Sequence, residues 1–361
     1  MAKTSLVHTP CRIKAIGVGG GGCNALNRMV TAGIQGVDFI AVNTDVQHLM
    51  MNEASTRIQI GEKTTGGLGV GGDPVKGRRA AEESRDELRQ LLGGTDMVFI
   101  AAGMGGGTGT GACPIIAELA RETGALTIAI VTRPFDFEGV RRQQVADDGI
   151  NQLIDRLDSV IVIPNERLLP LAGDKETVDN AFRLADDVLM TGVRAISEVI
   201  VSPGLINLDF ADVRSVMREA GPAWLSIGHS TGQNRCAEAA QSAIASPLLE
   251  VSIEGSKGVL YVVTGAANLT LAEVGQAADV IAKAVDPEAN VIFGVTLDPS
   301  MDNEVRITLV ATGFTSTRAV AATRRDEEFR RLIRSLDETE LETPAFMRRP
   351  LTLRRQISGK P

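Results

Sequence analysis

The residues best placed to do chemistry in this sequence are glycines. Gly17-Val18-Gly19-Gly20-Gly21-Gly22 follows a strand-like apolar run and opens a helix at Cys23-Asn24, so backbone N–H groups and the positive end of a helix dipole can face an anion. The stretch fits G-x-G-x-x-G, which alone points either to a nicotinamide dinucleotide or to glycines that merely allow a tight turn. A second loop, Gly103-Met104-Gly105-Gly106-Gly107-Thr108-Gly109-Thr110-Gly111, also follows a strand and opens a helix. A dinucleotide needs one glycine loop for its pyrophosphate, whereas a triphosphate, with about four charges near neutrality, profits from two sets of amide donors. Two loops at neighbouring strand ends therefore favour a single nucleoside triphosphate site over a dehydrogenase, for which the sequence offers no hydride-transfer centre. A third stretch, Thr65-Gly66-Gly67-Leu68-Gly69-Val70-Gly71-Gly72, reads equally as a lid and as a flexible loop. G-x-x-x-x-G-K-[ST] is absent, so no lysine is committed to the phosphates.

The elements that must hold these loops are legible in the periodicity. Strand-like runs at residues 13–19, 39–44, 97–102, 126–132 and 160–164 alternate with helical patterns, the sign of βαβ units in a parallel sheet. Asp73-Pro74 opens a helix with an N-cap and a first-turn proline, and Gly93-Gly94 closes it. A helical pattern over residues 177–202, stopped by Pro203-Gly204, would span about 39 Å, enough to join two domains. Beyond it come a short helix from Asp209, helices at 234–245 and 271–285, and strands at 258–264, 291–297 and 305–312, a smaller α+β domain. The expected division is 1–176, a nucleotide domain with a Rossmann-like parallel sheet; 177–203, a central helix; 204–315, the second domain; and 316–361, a charged tail. In the tail Phe329, Leu332, Ile333 and Leu336 give one narrow apolar stripe on a helix.

Composition agrees with an α/β protein. Aromatic residues make up 3% of the chain, so Ala, Val, Ile and Leu must fill the cores, which suits parallel sheets covered by helices. No apolar run is long enough to span a membrane and the first ten residues contain no signal-peptide stretch, so a cytoplasmic location without direct membrane insertion is expected. Cys11, Cys23, Cys113 and Cys236 are isolated, which makes them buried thiols rather than a zinc or disulfide framework. His8, His48 and His229 are read as structural or surface residues. From Arg318 onward 11 Lys and Arg face 7 Asp and Glu, so the acidic charge resides in the body and argues against nucleic acid as partner.

The motifs then become specific. GGGTGTGA over residues 105–112 resembles the signature of the tubulin and FtsZ superfamily; residues 17–24, Asn43-Thr44-Asp45, Phe135-Asp136-Phe137-Glu138-Gly139 and Asn207-Leu208-Asp209-Phe210-Ala211-Asp212-Val213-Arg214 are similar to its bacterial cell-division branch. The likeness covers roughly residues 12 to 315. It implies a cytoskeletal GTPase that polymerises head to tail into the filaments of a division ring at mid-cell, on the inner face of the membrane. Its fold would be a nucleotide domain, a central helix and a second domain.

The resemblance implies GTP or GDP with Mg2+, and contacts from Gly20, Gly21, Gly22, Cys23, Asn24, Asn43, Gly103, Met104, Gly105, Gly106, Gly107, Thr108, Gly109, Thr132, Pro134, Glu138, Arg142, Asn165, Phe182 and Asp186. Glu138 and Arg142, four apart, would meet the ribose and its phosphate edge; their spacing alone reads as a surface ion pair. Phe182 would stack on the base while Asp186 accepts from guanine N1–H and the 2-amino group, donors that adenine lacks; the plain reading is a core ring and a solvated carboxylate. Asp187, turned about 100° away, is taken as the solvated neighbour. Asn24 and Asn165 would add polar contacts, although an Asn at a helix start is commonly a cap. Asp209 and Asp212 have the spacing of an N-cap and a third helical residue, which is structural on its own. In the family this loop enters the next subunit's nucleotide site, where the carboxylates polarise the attacking water. The magnesium ion would be held mainly by phosphates and water, with Asp45 as an outer partner or simply a strand-end cap. A non-catalytic, nucleotide-binding member of the superfamily is the rival reading, opposed by the intact Asp209 and Asp212. Thr343-Pro344-Ala345-Phe346-Met347-Arg348-Arg349 resembles the family's terminal peptide, which docks onto membrane-anchoring and ring-regulating partners; an unstructured basic tail is the alternative.

Overall fold

The computed structural model describes residues 11–172, 177–201, 206, 208–249 and 252–314. The tail stripe at Phe329, Leu332, Ile333 and Leu336, the peptide at 343–349, Pro203-Gly204, Asn207 and His8 lie outside them. In chain order the elements are β1 (Ile13–Val18), α1 (Gly19–Thr31), β2 (Val37–Asn43), α2 (Val46–Met50), β3 (Thr56–Gln59), α3 (Glu62–Thr65), α4 (Pro74–Glu83), α5 (Arg85–Leu92), β4 (Met97–Gly103), α6 (Thr108–Glu122), β5 (Leu126–Arg133), α7 (Val140–Ile154), β6 (Ser159–Pro164) and α8 (Leu169–Ala172). The second half continues with α9 (Val178–Val201), α10 (Phe210–Met217), β7 (Gly221–Thr231), α11 (Arg235–Ile244), β8 (Gly258–Gly265), α12 (Leu271–Ala284), β9 (Asn290–Leu297) and β10 (Glu304–Thr312).

The strands form one ten-stranded sheet in the order β3-β2-β1-β4-β5-β6-β7-β10-β8-β9. Every pairing from β3 to β7 is parallel, whereas β10 runs antiparallel to both β7 and β8. The central strands are apolar on both faces because helices cover both. On β4, Phe99 and Ala101 enter the core shared with Leu26 of α1 and Leu189 of α9, while Val98 and Ile100 enter the one shared with Ile116 of α6 and Leu88 of α5. A third core packs Tyr261, Ile307 and Leu309 against Ala239 of α11 and Ile281 of α12. The α/β class read from the sequence is the one observed, and the strands read as those of a smaller α+β domain continue the same sheet.

Three local expectations change. The first helix begins at Gly19, not at Cys23, so the glycines themselves form its first turn. Gly19 leaves the strand at φ +70, a region open to glycine, and a Cβ there would press on the backbone of Gly109. The helix opened by Asp73 is broken at Ser84, whose hydroxyl accepts the Gly61 N–H at 3.1 Å, giving α4 and α5. Two strands had no clear pattern: β3 is four residues long, and β7 begins with Gly221-Pro222 and mixes polar with apolar positions. β7 nevertheless joins the halves, pairing in parallel with β6 at Ser159↔Gly221 and antiparallel with β10 further along. Helix α9 has 24 residues, about 36 Å, and packs on α1 and β5.

The position of α1 rests on close contact with β4. A Cβ on Gly22 would collide with the carbonyl oxygen of Ala101. Helix propensity alone would make Gly22→Ala stabilising by up to about 1 kcal/mol, whereas overpacking against a fixed backbone costs about 1–3 kcal/mol. Gly22→Ala is therefore expected to be less stable than the parent in urea denaturation, and an unchanged or raised midpoint would refute the contact.

Candidate functional site

The strand order reverses at β1: the chain turns from β1 to β2 on one side, while β4 arrives on the other. Open α/β sheets bind ligands at such a reversal, beyond the carboxyl ends of the strands. Because β1 and β4 pair from Ile13↔Met97 to Val18↔Ala102, the two glycine loops leave the sheet side by side. A cavity of about 370 Å³ opens between them. It is lined by Gly20, Gly21, Asn43, Gly103, Met104, Gly106, Gly107, Thr108, Gly109, Thr132, Pro134, Glu138, Arg142, Asn165, Phe182 and Asp186, all singled out from the sequence.

Four other expected contacts do not line it. Gly22 packs under β4 as described. Cys23 is buried with its thiol toward the carbonyls of Gly17 and Val42, and burial pushes that thiol up to about 12. Asn24 is exposed and shares a hydrogen bond with His48 Nε2 at 3.1 Å. Gly105, at φ +96, lies beneath the Arg142 carbonyl and donates its N–H to Thr110 Oγ1 at 2.9 Å.

At one end of the cavity the backbone is bare. A Cβ on Gly20 or Gly106 would meet nothing within 4 Å, so the protein's own packing does not require glycine there and the backbone is open to a ligand. Gly107 is different, since a Cβ there would strike Val70 and the backbone of Asp73, so its smallness serves packing of the third glycine loop. That loop supplies Gly69, Val70, Gly71 and Gly72 as a wall of the cavity. Asp45 also lines it; its Oδ1 caps α2 by accepting the N–H groups of Gln47 at 2.9 Å and His48 at 3.2 Å, which leaves Oδ2 for a water or a hydrated cation. His48 lines the cavity with a buried Nδ1 that has no partner, a residue that a lone histidine in a sequence gives no reason to choose.

The other end is suited to a flat ring with polar edges. Phe182 meets Phe135 edge-on at 5.3 Å, and Phe135 stacks on Phe137 at 5.1 Å, which fixes the ring. Asn165 is buried and its Oδ1 has no partner in the protein, so it can accept from a ligand donor. Asp186 is mostly buried, and burial pushes its carboxyl up to about 7; the Arg28 guanidinium pulls it down and Asp187 pushes it further up. Asp187, expected to be solvated, is only half-exposed and accepts from Arg28 at 2.8 Å. Glu138 and Arg142 do not share a helix: Glu138 ends a 3-10 turn (Asp136–Glu138), Gly139 breaks the chain at φ +95, and Arg142 sits in the first turn of α7. They form the ion pair and line the cavity as well, so spacing-based reading and ligand reading coexist.

Asp209 and Asp212 are elsewhere. They form a capping box at the start of α10, with Asp209 accepting the Ala211 N–H and Asp212 accepting the Asp209 N–H, both at 3.3 Å. The Asp209 charge acts on Cys11, two residues before β1, and α10 packs on β5 with its Arg214 beside Leu126, the first residue of that strand. That places the pair at the amino end of the strand whose carboxyl end opens on the cavity, roughly 20 Å along β1. Among the described residues no cluster of three His, Cys, Asp or Glu could hold a metal ion by itself, and no helix is long and apolar enough to cross a membrane.

A model of the GTPase domain of the tubulin/FtsZ family matches residues 12–173, and one of the C-terminal domain of the FtsZ family matches residues 221–315. Among solved structures, an FtsZ dimer from M. jannaschii is 43% identical, with a TM-score of 0.83 over 86% of this chain and 90% of that one. Two more distant structures from Haloferax volcanii share the fold at 20% identity: CetZ1, a GDP-bound monomer, with TM-score 0.72 over 84% of this chain and 95% of its own, and CetZ2, a GTPγS-bound protofilament, with 0.73 over 88% and 98%.

The burial of Asp186 has a measurable cost. A carboxyl raised from its ordinary value to about 7 keeps its proton in the folded chain where the unfolded chain has released it, so stability falls as pH rises from about 4 to 7 and stays lost above. In nucleotide-free protein Asp186→Asn should be no more stable than the parent at pH 4, yet more stable at pH 8 by on the order of 2 kcal/mol. Chemical denaturation at the two pH values checks this; a difference that does not grow with pH would show that the carboxylate is not penalised.

Proposed function

This chain belongs to the tubulin/FtsZ family of GTPases, and on that premise we propose that it stacks head to tail, each copy completing the GTP site of the next, in the filaments of a bacterial division ring. One observation carries the proposal: the carboxylate pair Asp209 and Asp212 stands at the opposite end of the sheet from the cavity, too far to serve the site of its own chain. Stacking amino end on carboxyl end brings such a pair to a neighbour's cavity. The mouth is fitted for a protein lid, because Met50, Met51, Leu68, Phe137 and Val140 are exposed apolar residues next to lining residues. An FtsZ solved as a dimer and CetZ2 solved as a protofilament are in keeping with self-association.

In this reading the amides about Gly20, Gly21 and Gly106 bind the triphosphate, and Glu138 with Arg142 holds the ribose edge. Phe182 stacks on the base, Asp186 accepts from the two guanine donors, and Asn165 takes a further donor. Magnesium, held by phosphates and water with Asp45 Oδ2 as an outer acceptor, would supply the neutralisation that no lysine provides. Asp212, with Asp209, orients and polarises the attacking water from the neighbouring copy; until that copy arrives, bound GTP meets no such base. The division into a nucleotide domain (1–176), a connecting helix (177–203) and a second domain (204–315) belongs to the same proposal. So do a cytoplasmic, mid-cell location and docking of residues 343–349 onto a membrane-anchoring partner.

Phosphate release tests the shared site. Turnover per subunit should rise steeply above a threshold protein concentration; Asp212→Ala should bind GTP and assemble but hydrolyse at least about a hundredfold more slowly. Gly106→Val should instead fill the phosphate cradle and weaken binding. Mixing the two variants should restore part of the activity, since a chain with an intact cradle can receive Asp212 from its neighbour. Specific activity independent of concentration, with an active Asp212→Ala, would return both aspartates to helix capping. Separately, removing residues 343–361 should leave hydrolysis nearly unchanged while abolishing co-sedimentation with the anchor; equal co-sedimentation would end the docking role.

A further inference from the structure

Asp186 can read guanine only as a carboxylate. The base edge offers two donors, N1–H and the 2-amino group, and an ionised carboxylate has two oxygens to accept them. A protonated acid offers one donor and one acceptor, which matches adenine's N1 and 6-amino group instead. Whatever sets the proton on Asp186 therefore sets the choice of base.

The side chain that does so comes from another element. Arg28 lies on α1, two helical turns beyond the glycines that face the cavity, about 12 Å along the axis. Its NH1 donates to Asp187 Oδ1 at 2.8 Å, while its Nε stays 3.7 Å from Asp186 Oδ2. The first distance is a charge-assisted hydrogen bond; the second is too long for one and is a contact of charges. The guanidinium is thus anchored on Asp187 and favours the ionised form of Asp186 without occupying the oxygens a base would need. The side chains are 29% exposed for Arg28, 18% for Asp186 and 43% for Asp187, so the contact is shielded from solvent on the side that matters. The charges acting on Asp186 are these two, Arg28 across from α1 and Asp187 beside it on α9, and they act in opposite directions. Were Arg28 absent, Asp186 would keep both its burial and its like-charged neighbour.

We propose that Arg28 is a positioning residue for base choice, favouring the ionised form of Asp186 and leaving its oxygens unoccupied from α1, while Asp187 serves as the anchor that keeps the guanidinium there. The proposal rests on the reading of the cavity as a guanine nucleotide site. A merely structural Arg28 would tie α1 to α9 and its loss would weaken every nucleotide at every pH. An electrostatic Arg28 predicts a loss that depends on pH and on the base.

Equilibrium binding of GDP and ADP to the full chain between pH 6 and 9 separates these, and diphosphates avoid turnover during the titration. The parent should prefer GDP, with affinity falling as the pH drops below about 7, where Asp186 takes up its proton. Arg28→Gln should lower GDP affinity about tenfold at pH 7 and recover most of it by pH 9, because the midpoint moves up when the cation is lost. Its preference for GDP over ADP should narrow in parallel, and Arg28→Lys should restore part of both. Asp187→Asn removes the like charge and should move the midpoint down, so that GDP binding persists to lower pH. Parallel pH profiles for the parent, Arg28→Gln and Asp187→Asn, with an unchanged GDP to ADP ratio, would overturn the role of Arg28 and leave the guanine site standing. A parent that binds GDP and ADP equally would overturn both.

Discussion

The approach of helix α1 to strand β4 is the contact on which the rest of this molecule depends. A helix axis normally stands well clear of a sheet, because side chains intervene. Here Gly22 sits over the Ala101 carbonyl and Gly19 over the Gly109 backbone, with no side chain between them. Only this closeness lets the amides at the start of α1 and those after β4 face one small volume. The reversal of strand order at β1 supplies the crevice, and the glycines bring backbone donors into it. The side chains add little cationic charge: of the lining residues Arg142 alone carries a fixed positive charge, and it is already paired with Glu138. An anion bound here is held by dipoles, which suits a site that must release its product.

How much of this the sequence disclosed depends on whether the signal was local. The strands that carry the glycine loops are short, apolar and bounded by turn residues, and they were legible, as were the long amphipathic pattern of α9 and the cap at Asp209. What escaped was decided by partners distant in the chain. β7 mixes Ser226, Gly228 and His229 with Trp224, Leu225 and Ile227, and becomes a strand because β6 and β10 offer open edges on either side. The break between α4 and α5 depends on a hydrogen bond from Gly61, which no helix periodicity encodes. His48 lines the cavity from α2, whose place is set by the fold, and Gly107 answers to Val70 and Asp73 of a loop far away in the sequence as well as lining the cavity. At Glu138 and Arg142 the ion pair expected from the spacing forms although no single helix spans the two residues.

The electrostatics of the base end explain why a feature that weakens the fold is retained. A carboxylate inside a protein is unfavourable unless its partners compensate, and Asp186 is compensated only in part. Its opposite is seen at Glu273, where the buried Arg235 guanidinium holds the carboxyl down to about 2 and bonds it at 2.8 Å. That pair is satisfied within the chain and clamps α12 to α11. Asp186, with its oxygens left free, is satisfied only from outside. The contrast between a saturated and an unsaturated carboxylate, both mostly buried, separates a structural ion pair from a recognition site more sharply than burial or charge taken singly.

The two ends of the sheet are joined by one rigid element. Helix α9 carries Phe182 and Asp186 near its start, beside the cavity, and runs about 36 Å toward the end of the sheet where α10 begins. Along the way Ala185, Leu189, Val193 and Ile196 pack in the core on the sheet's own strands, and Arg194, paired within the helix with Glu198 at 2.6 Å, reaches Asp298 of the second half at 3.7 Å. A packed helix cannot shorten or bend cheaply, so the spacing between the base end and the second half is set by the length of α9. The carboxylate pair of α10 lies on that second half's side, where α10 packs on β8 and β9. One packed helix thus reaches from the residues beside the cavity toward the half of the sheet that carries Asp209 and Asp212.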